Sequence, residues 1–590
     1  NAMRAWGAAL MAAACVTASA QSPHERLGRL AHESYSRYLD LFPHDETLAI
    51  GAGPRMARLE MHVSVEHERR QRRHFNRVLS HAKAIPERGL KETDAVTHRL
   101  LREQARWALE RLDFPLVEHT LLIPLDGGLA VDLVQLMTRQ PFRNASDYRA
   151  WLQRLGRFPA LLAAARERLR AGLDNGVTTP RILVERSLDQ WAKIASDEAS
   201  RSTLWAPAAR FPDSMDAAAR ERFRDDYARL LDKSVLPAMR EFARFVREEY
   251  LPKARTSDGI GALPDGERMY RTLVRQQTTT DLTPDAIHRI GLAEVQRIQL
   301  QVMLAAGQAG YKGELRDLRT WLRTDPANFP FATSDEVLVY LRGIHARIVP
   351  RLPRLFARLP RIPLEIRLTD PALAASMPAQ WLPPSADGTR PGIFAMPVVD
   401  PREVSTVTLA SLLAHEGMPG HHLEGALARE LPLPAFRRDL WINAYGEGWA
   451  LYAESLGHEM GLYEDTIPLV GRYLDELYRA ARLVADTGVH AKGWSRERAI
   501  EFMMNEGALA ERSATREVLR YMAWPAQALG YKLGEIAIRD LRSEAERRLG
   551  ERFDLREFHR CVLGQGQVPL DLLRSRVEAW ISARSAAAAR

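Results

Sequence analysis

The segment HEGMPGHH, residues 415–422, contains the residue types of a catalytic zinc site at an unusual spacing. On a regular helix, a second histidine four residues after His415 would face the same ion, but that position is Pro419 and the next histidines are His421 and His422. Six or seven helical residues span about 9–10.5 Å. Two nitrogens that must each lie about 2.0–2.1 Å from one zinc ion cannot be that far apart. An uninterrupted helix is therefore incompatible with a shared zinc ion.

The residues between the histidines provide a break in the helix. Pro419 has no N–H to donate to the carbonyl of His415, and the two glycines of GMPG permit unusual backbone angles. We expect this segment to bulge and to return the chain so that His421 becomes the second ligand. His422 is the alternative.

Glu416 and two downstream carboxylates complete the expected site. Glu416 would be the general base that activates a zinc-bound water. A catalytic zinc takes three protein ligands and keeps one position open, and Glu447 is the expected third ligand on a second, crossing helix over residues 443–461. Glu454 lies seven residues later on the same helical face, so it is either an outer partner of a histidine or an alternative ligand.

Hydrolysis of an amide also needs a hydrogen-bond donor for the oxyanion. Two residues are candidates: His490, which Asp486 four residues earlier could orient, and Tyr531, whose phenol donates without charge at neutral pH. For Tyr531 the alternative is a packed core tyrosine. For Asp486 the alternative is an ion pair with Arg482 at helical spacing.

The elements that must position these residues are mainly helices. Apolar residues recur with helical spacing in long segments rich in Ala, Leu, Arg and Glu. These segments are 25–40, 92–113, 146–172, 216–248, 284–305 and 335–359. The pattern predicts a mainly α fold.

Residues 363–399 differ, because PLEIRLTD and GIFAMPVV have strand character within a stretch rich in Pro and Gly. We predict a small sheet here, with peptide substrates adding to the edge of the GIFAMPVV strand. The zinc helix follows, with Ser405 or Thr406 as its N-cap.

Composition limits the remaining functions. The chain has 590 residues, 46% hydrophobic content and a formal net charge of +8, with 83 basic and 75 acidic residues. No dense Lys/Arg tract with interleaved aromatics is present, which argues against a nucleic-acid partner. We predict an N-terminal helical region, 21–255, and a catalytic region, 256–590, which could also form one continuous helical body. The sequence does not predict the oligomeric state.

The N-terminus indicates export. Asn1 and Ala2 resemble a remnant of cloning, and the segment from Met3 to Ala20 has the features of a secretory signal peptide that is cut after Ala20. The alternative is a lipoprotein signal with lipid attached at Cys15. No later segment is long and apolar enough to span a membrane.

The motifs LLAHEGMPGHHLEG, YGEGWALYAE, RLVADTGVHAKGW and QALGYKLG together resemble a bacterial family numbered 885 among the domains of unknown function. That family is similar to the helical zinc peptidases that include the Taq-type carboxypeptidases and the thimet-type oligopeptidases. The resemblance implies a large helical zincin-like fold with a central cleft and one zinc ion. It also implies that the unusual histidine spacing is the family's own.

The sequence therefore predicts an exported zinc metallopeptidase that hydrolyses short peptides. Two alternatives remain open: a zinc hydrolase acting on other amides or esters, and an inactive binding protein that retains the fold. Endopeptidase and exopeptidase action are not distinguished.

Overall fold

The structure is a computed structural model that describes residues 21–115, 122, 128–374, 377–385 and 390–586. The predicted signal peptide and Cys15 lie outside these residues. The described part of the chain is mainly helical, with one small sheet, so the predicted fold class is confirmed.

The helices before residue 255 pack around two apolar clusters. They are Pro23–Leu41, Pro43–Ile50, Val65–Lys83, Glu92–Leu112, Leu129–Arg139, Ala145–Leu155, Phe158–Asp174, Arg181–Ile194, Ala206–Ala209, Ala217–Leu230 and Leu236–Phe245.

Further helices precede and follow the sheet. They are Gly266–Thr278, Pro284–Gln308, Leu315–Thr324, Ser334–Ile348, Leu352–Leu355, Pro371–Ala374, Leu409–Glu416, His421–Glu430, Ala435–Arg438, Asn443–Ser455, Thr466–Ala491, Arg496–Asn505, Glu511–Ala523, Leu529–Leu549, Leu555–Leu563 and Leu570–Ala586.

The predicted helical segments are helical in the structure for most of their length. The segment 335–359 ends early, because its last helix stops at Leu355. The segment 146–172 forms two helices, because the first ends at Leu155 and the second begins at Phe158. Ser405 accepts a hydrogen bond from the N–H of Val407 and so caps a short 3₁₀ turn ahead of the helix that begins at Leu409.

The sheet has three strands, β1 (Leu364–Leu368), β2 (Gln380–Leu382) and β3 (Gly392–Met396). Strand β3 is central, parallel to β1 and antiparallel to β2. Both of its edges are therefore paired. The prediction that a peptide adds to this strand is wrong, because no backbone edge of β3 is free.

One apolar core joins the sheet to the helices that carry the candidate site. Phe394 of β3, Leu413, Trp449 and Ile538 belong to it and are almost fully buried. The division of the chain near residue 255 stays a prediction. No helix in the described ranges combines the length and apolar composition needed to cross a bilayer.

Candidate metal centre and cleft

The segment HEGMPGHH forms two helices separated by a break. The first helix ends at Glu416 and the second begins at His421. A Cβ on Gly420 would lie 2.0 Å from the carbonyl oxygen of His415, so the chain can turn this closely only with glycine there. Trp449 holds the break from the neighbouring helix by donating its indole N–H to the carbonyl of Pro419 over 3.0 Å.

The break brings two histidines and one glutamate together. Nε2 of His415 and Nε2 of His421 lie 3.5 and 3.4 Å from Oε2 of Glu447. Two donor atoms bound about 2.0–2.1 Å from one tetrahedral ion are about 3.3 Å apart. As whole residues, His415, His421 and Glu447 are 3, 6 and 8% exposed, and Oε2 of Glu447 is buried with no hydrogen-bond partner among the described residues. Two imidazole nitrogens and an orphaned carboxylate oxygen at this spacing fit a zinc ion.

Charges around the cluster favour a cation. Burial alone would lower the pKa of His415, but Glu447 and Glu454 beside the imidazole raise it to about 10. Burial alone would raise the pKa of Glu447, yet the imidazoles of His415 and His421 hold it well below its usual range. The site therefore stabilises positive charge at the point where the three side chains meet.

Glu454 lies behind the cluster as an outer partner. Nδ1–H of His415 donates to Oε1 of Glu454 over 2.8 Å. Nη2 of Arg479 lies 3.5 Å from the same oxygen. With Nδ1 engaged in this way, Nε2 of His415 carries the lone pair that a metal needs.

The packing of two helices positions Glu447. Helix Asn443–Ser455 lies against helix Leu529–Leu549 at Gly448 and Gly534. A Cβ on Gly448 would lie 2.4 Å from Cα of Gly534, so larger residues would hold these helices apart. The same contact brings Tyr531 towards the cluster.

Glu416 lines the cleft beside the cluster without joining it. Its Oε2 accepts the backbone N–H of Trp381 over 2.7 Å. This bond ties the carboxylate to strand β2, which borders the cleft. The carboxylate of Glu416 is thereby held on the wall of the cleft.

Tyr531 also lines the cleft. Its ring lies 14° from parallel with the ring of His415, with centroids 6.3 Å apart. The guanidinium of Arg482 covers this ring at 4.4 Å, and Nη2 of Arg520 donates to the phenol oxygen over 3.2 Å. Since the oxygen accepts this bond, its own hydrogen can be donated into the cleft.

His422 faces away from the cluster. Its Nε2–H donates to the carbonyl of Ile362 over 3.1 Å. A Cβ on Gly392 of β3 would lie 2.3 Å from its Nδ1, so the ring is packed against the sheet. Of the two adjacent histidines, the fold brings His421 to Glu447.

The structure does not bring His490 to the site. Its Nδ1 accepts the N–H of Ile260 over 3.0 Å, and its Nε2–H donates to the carbonyl of Tyr521 over 2.9 Å. Both ring nitrogens are thus used within the fold, and the expectation that His490 donates to an oxyanion is wrong for this geometry. Asp486 does not orient it either, because that carboxylate accepts the hydroxyl of Tyr270.

The cluster lies in a cleft of about 790 Å³. Trp381 and Trp441 flank His421, with ring centroids 6.2 and 5.7 Å from its imidazole. This volume is within the range typical of small-ligand sites, about 300–1,000 Å³.

A second acidic cluster already contains a cation. Nζ of Lys532 lies 3.0, 2.6 and 2.7 Å from carboxylate oxygens of Glu294, Glu476 and Glu535. Although burial lowers the pKa of Lys532, these carboxylates raise it above its usual value. The ammonium group occupies the place that a metal ion would take.

Three contacts of the site escaped sequence reasoning: the N–H of Trp381 on Glu416, Arg479 beside Glu454, and Arg520 on Tyr531. The first is a backbone contact, for which no residue pattern exists. The two arginines stand on helical faces that resemble ordinary charged surface.

The families and structures that this chain resembles do not assign it an activity. A family model described as "Bacterial protein of unknown function (DUF885)" matches residues 47–577. No curated protein matches the chain.

Two solved structures share the fold. A "putative lipoprotein" from Colwellia psychrerythraea has a TM-score of 0.88 and 28% sequence identity, over 95% of this chain and 100% of that one. A "putative lipoprotein of unknown function" from Shewanella oneidensis has a TM-score of 0.71 and 18% identity, over 93% and 99% of the two chains.

Proposed function

We propose that this chain, which belongs to the bacterial DUF885 family, is a zinc-dependent hydrolase that cleaves peptide bonds of short peptides in its cleft. The observation that carries the proposal is the cluster of His415, His421 and Glu447, whose donor atoms are spaced as ligands of a tetrahedral ion. The family and the similar structures have no assigned activity, so the proposal rests on this geometry.

His415, His421 and Glu447 would hold the ion. When bound, zinc supplies Lewis-acid activation of a water and of the substrate carbonyl. Outside the ligand set, Glu416 and Tyr531 face the same cleft.

Glu416 is the proposed base. Its carboxylate takes a proton from the attacking water and passes it to the nitrogen of the leaving amine. The bond from the N–H of Trp381 to Oε2 restricts rotation of the carboxylate, so the other oxygen is held for proton transfer.

Tyr531 is the proposed oxyanion donor. Its phenol hydrogen bonds to the carbonyl oxygen as negative charge develops there. Arg482 over the ring and Arg520 at the phenol oxygen hold the side chain in place.

Export is part of the proposal. The similar structures described as lipoproteins favour it, and so does the predicted signal peptide. Cleavage after Ala20 and lipid attachment at Cys15 would both deliver the protein outside the cytoplasm.

The test compares the full chain with its Glu416→Gln variant. Glutamine is nearly isosteric but cannot accept the proton, so we expect about one zinc per chain in both proteins and a loss of turnover of at least about a hundredfold in the variant. Elemental analysis measures the metal, and mass spectrometry of a peptide mixture measures hydrolysis.

Three results would contradict the proposal: a wild-type chain that retains no zinc, a zinc-loaded chain that cleaves no peptide, or a variant as active as the wild type. The first would favour a binding protein without catalysis.

A further inference from the structure

The cleft wall next to Tyr531 carries an excess of positive charge. Five arginines line it, and in the described part of this wall only Asp475 and Glu517 oppose them. The arginines are Arg319, Arg479, Arg482, Arg516 and Arg520.

Two of these arginines already have carboxylate partners. Arg482 donates through Nε and Nη2 to Oε2 of Glu517, over 3.0 and 2.8 Å. Arg479 lies 3.5 Å from Asp475 and 3.5 Å from Glu454. Both are almost fully buried, so their charges are used within the fold and are not available to a ligand.

The other three donate no hydrogen bond to a carboxylate of the described residues. Arg319 donates to the carbonyl of Ala508. Arg520 donates to the side-chain oxygen of Gln527 over 2.9 Å, and its distance to Glu517 is 3.8 Å.

Arg516 is exposed to the cleft, and no hydrogen bond or ion pair joins it to the described residues. An exposed guanidinium on a cleft wall that has no counter-charge can bind an anion, since the walls of a cleft concentrate its field.

This wall begins one side chain from the metal cluster. The ring of Tyr531 stacks beside His415, and Arg520 contacts its oxygen. The rest of the cleft lining has no such excess. Arg429 there pairs with Asp439 over 2.7 Å, and Glu424 lines the cleft together with Arg438. The excess of positive charge therefore lies on the Tyr531 side of the cleft.

We propose that Arg516 and Arg520, assisted by Arg319, bind a carboxylate of the substrate on the Tyr531 side of the scissile bond. The inference rests on the proposed function and gives its substrate class: peptides with a carboxylate close to the cleaved bond. Guanidinium groups match carboxylates through paired hydrogen bonds. The carboxylate can be the free C-terminus, which would make the enzyme a carboxypeptidase, or an acidic side chain.

Three peptides distinguish these sources. The first two have the same sequence and end in a free carboxylate or in a C-terminal amide. The third is the C-terminal amide with its last residue replaced by glutamate. Each is assayed with the zinc-loaded full chain, with Arg516→Gln and Arg520→Gln, and with Arg512→Gln. Arg512 is exposed on the same helix and does not line the cleft, so its variant is the matched control.

We expect the wild type to cleave the free acid at least about tenfold more efficiently, in kcat/KM, than the neutral amide. Arg516→Gln and Arg520→Gln should each reduce this ratio by about tenfold, and Arg512→Gln should leave it unchanged. A disturbance of Tyr531 alone would slow both peptides equally and leave the ratio intact. If the peptide amide that ends in glutamate is cleaved as efficiently as the free acid, a side-chain carboxylate is the ligand.

Binding gives a readout that needs no turnover. Calorimetry with the zinc-loaded Glu416→Gln chain should show tighter binding of the acid than of the neutral amide, and adding Arg516→Gln should abolish the difference. If the wild type cleaves acid and neutral amide equally, the carboxylate site is refuted while the hydrolase stands. If nothing is cleaved yet the acid binds selectively through Arg516, the hydrolase is refuted while the carboxylate site stands. Equal binding of acid and neutral amide refutes the site in either case.

Discussion

At the residue scale, the adjacent histidines His421 and His422 contact different partners. His421 lies 3.4 Å from Glu447, whereas His422 donates to the carbonyl of Ile362 against the sheet. Neighbouring positions on a helix point about 100° apart, so only one of the two rings can reach the cluster. Single substitutions can therefore show which of the two histidines binds the metal.

His421→Ala is expected to lose zinc, because it removes one of three ligands. His422→Ala is expected to keep zinc and to lose about 1–3 kcal/mol of stability, since the carbonyl of Ile362 loses its donor. Equilibrium dialysis with zinc and urea unfolding measure the two effects. The reverse order of zinc loss would move the ligand assignment to His422.

Glu454→Gln is expected to lower zinc affinity by about 10- to 100-fold without abolishing binding. Glu454 is fully buried and orients His415 through Nδ1, and such outer partners typically contribute this much. Competition with a chromophoric chelator measures the affinity.

Glu459→Gln is the matched control for Glu454→Gln. Glu459 pairs with Arg542 away from the cleft. The zinc affinity of Glu459→Gln should therefore equal that of the wild type. An unchanged affinity in Glu454→Gln would exclude an outer-partner role.

At the scale of elements, the broken helix is the feature that makes the site. An intact helix would separate the two histidine ligands, and the break at Gly420 lets the second helix start beside the end of the first. The packing of helix Asn443–Ser455 then brings Glu447 to the gap.

Gly420→Ala tests this break. A Cβ there would lie 2.0 Å from the carbonyl oxygen of His415 and 2.4 Å from that of Ala414. We expect a loss of about 1–3 kcal/mol of stability and a weakened zinc site, because the two helices must move apart. Thermal unfolding and elemental analysis measure these changes.

Gly343→Ala is the control for Gly420→Ala. Gly343 lies within helix Ser334–Ile348, and apart from this helix's own backbone and the adjacent residues no atom of the described residues lies within 4 Å of the added Cβ. Alanine should stabilise this helix by up to about 1 kcal/mol and leave zinc binding unchanged. A zinc content in Gly420→Ala equal to that of the control would show that the break tolerates a side chain.

The whole molecule decides which substrates reach the site. The candidate ligands are almost fully buried at the bottom of the cleft, and helices and strand β2 form its walls. Extended chains can enter such a cleft, while the surface of a folded protein cannot follow it inward.

We therefore expect hydrolysis of peptides of about 2–15 residues and none of folded proteins. The zinc-loaded chain can be incubated separately with a native, disulfide-bonded test protein and with a tryptic digest of the same protein. Mass spectrometry should find new cleavages in the digest only. Efficient cutting of the native form would show that the site is open to large substrates.

The sequence by itself determined much of the local structure. Helical periodicity predicted the mainly α fold, strand-like segments predicted the sheet within 363–399, and GMPG located the break. His415, His421 and Glu447 could be named because the chemistry of zinc restricts ligand types and their separation. These features depend on residues close in the chain or on chemistry that is independent of the fold.

Tertiary structure alone decided the rest. His490 is bound by Ile260, 230 residues earlier in the chain, and β3 became central because strands on both sides pair with it. Arg520 reached Tyr531 through the packing of two helices. The periodicity of a helix or strand determines on which face of that element a side chain lies. The partner of the side chain depends on which distant element packs against that face. For this reason the clustering of the candidate ligands was predictable, whereas the cationic wall and the exclusion of His490 were not.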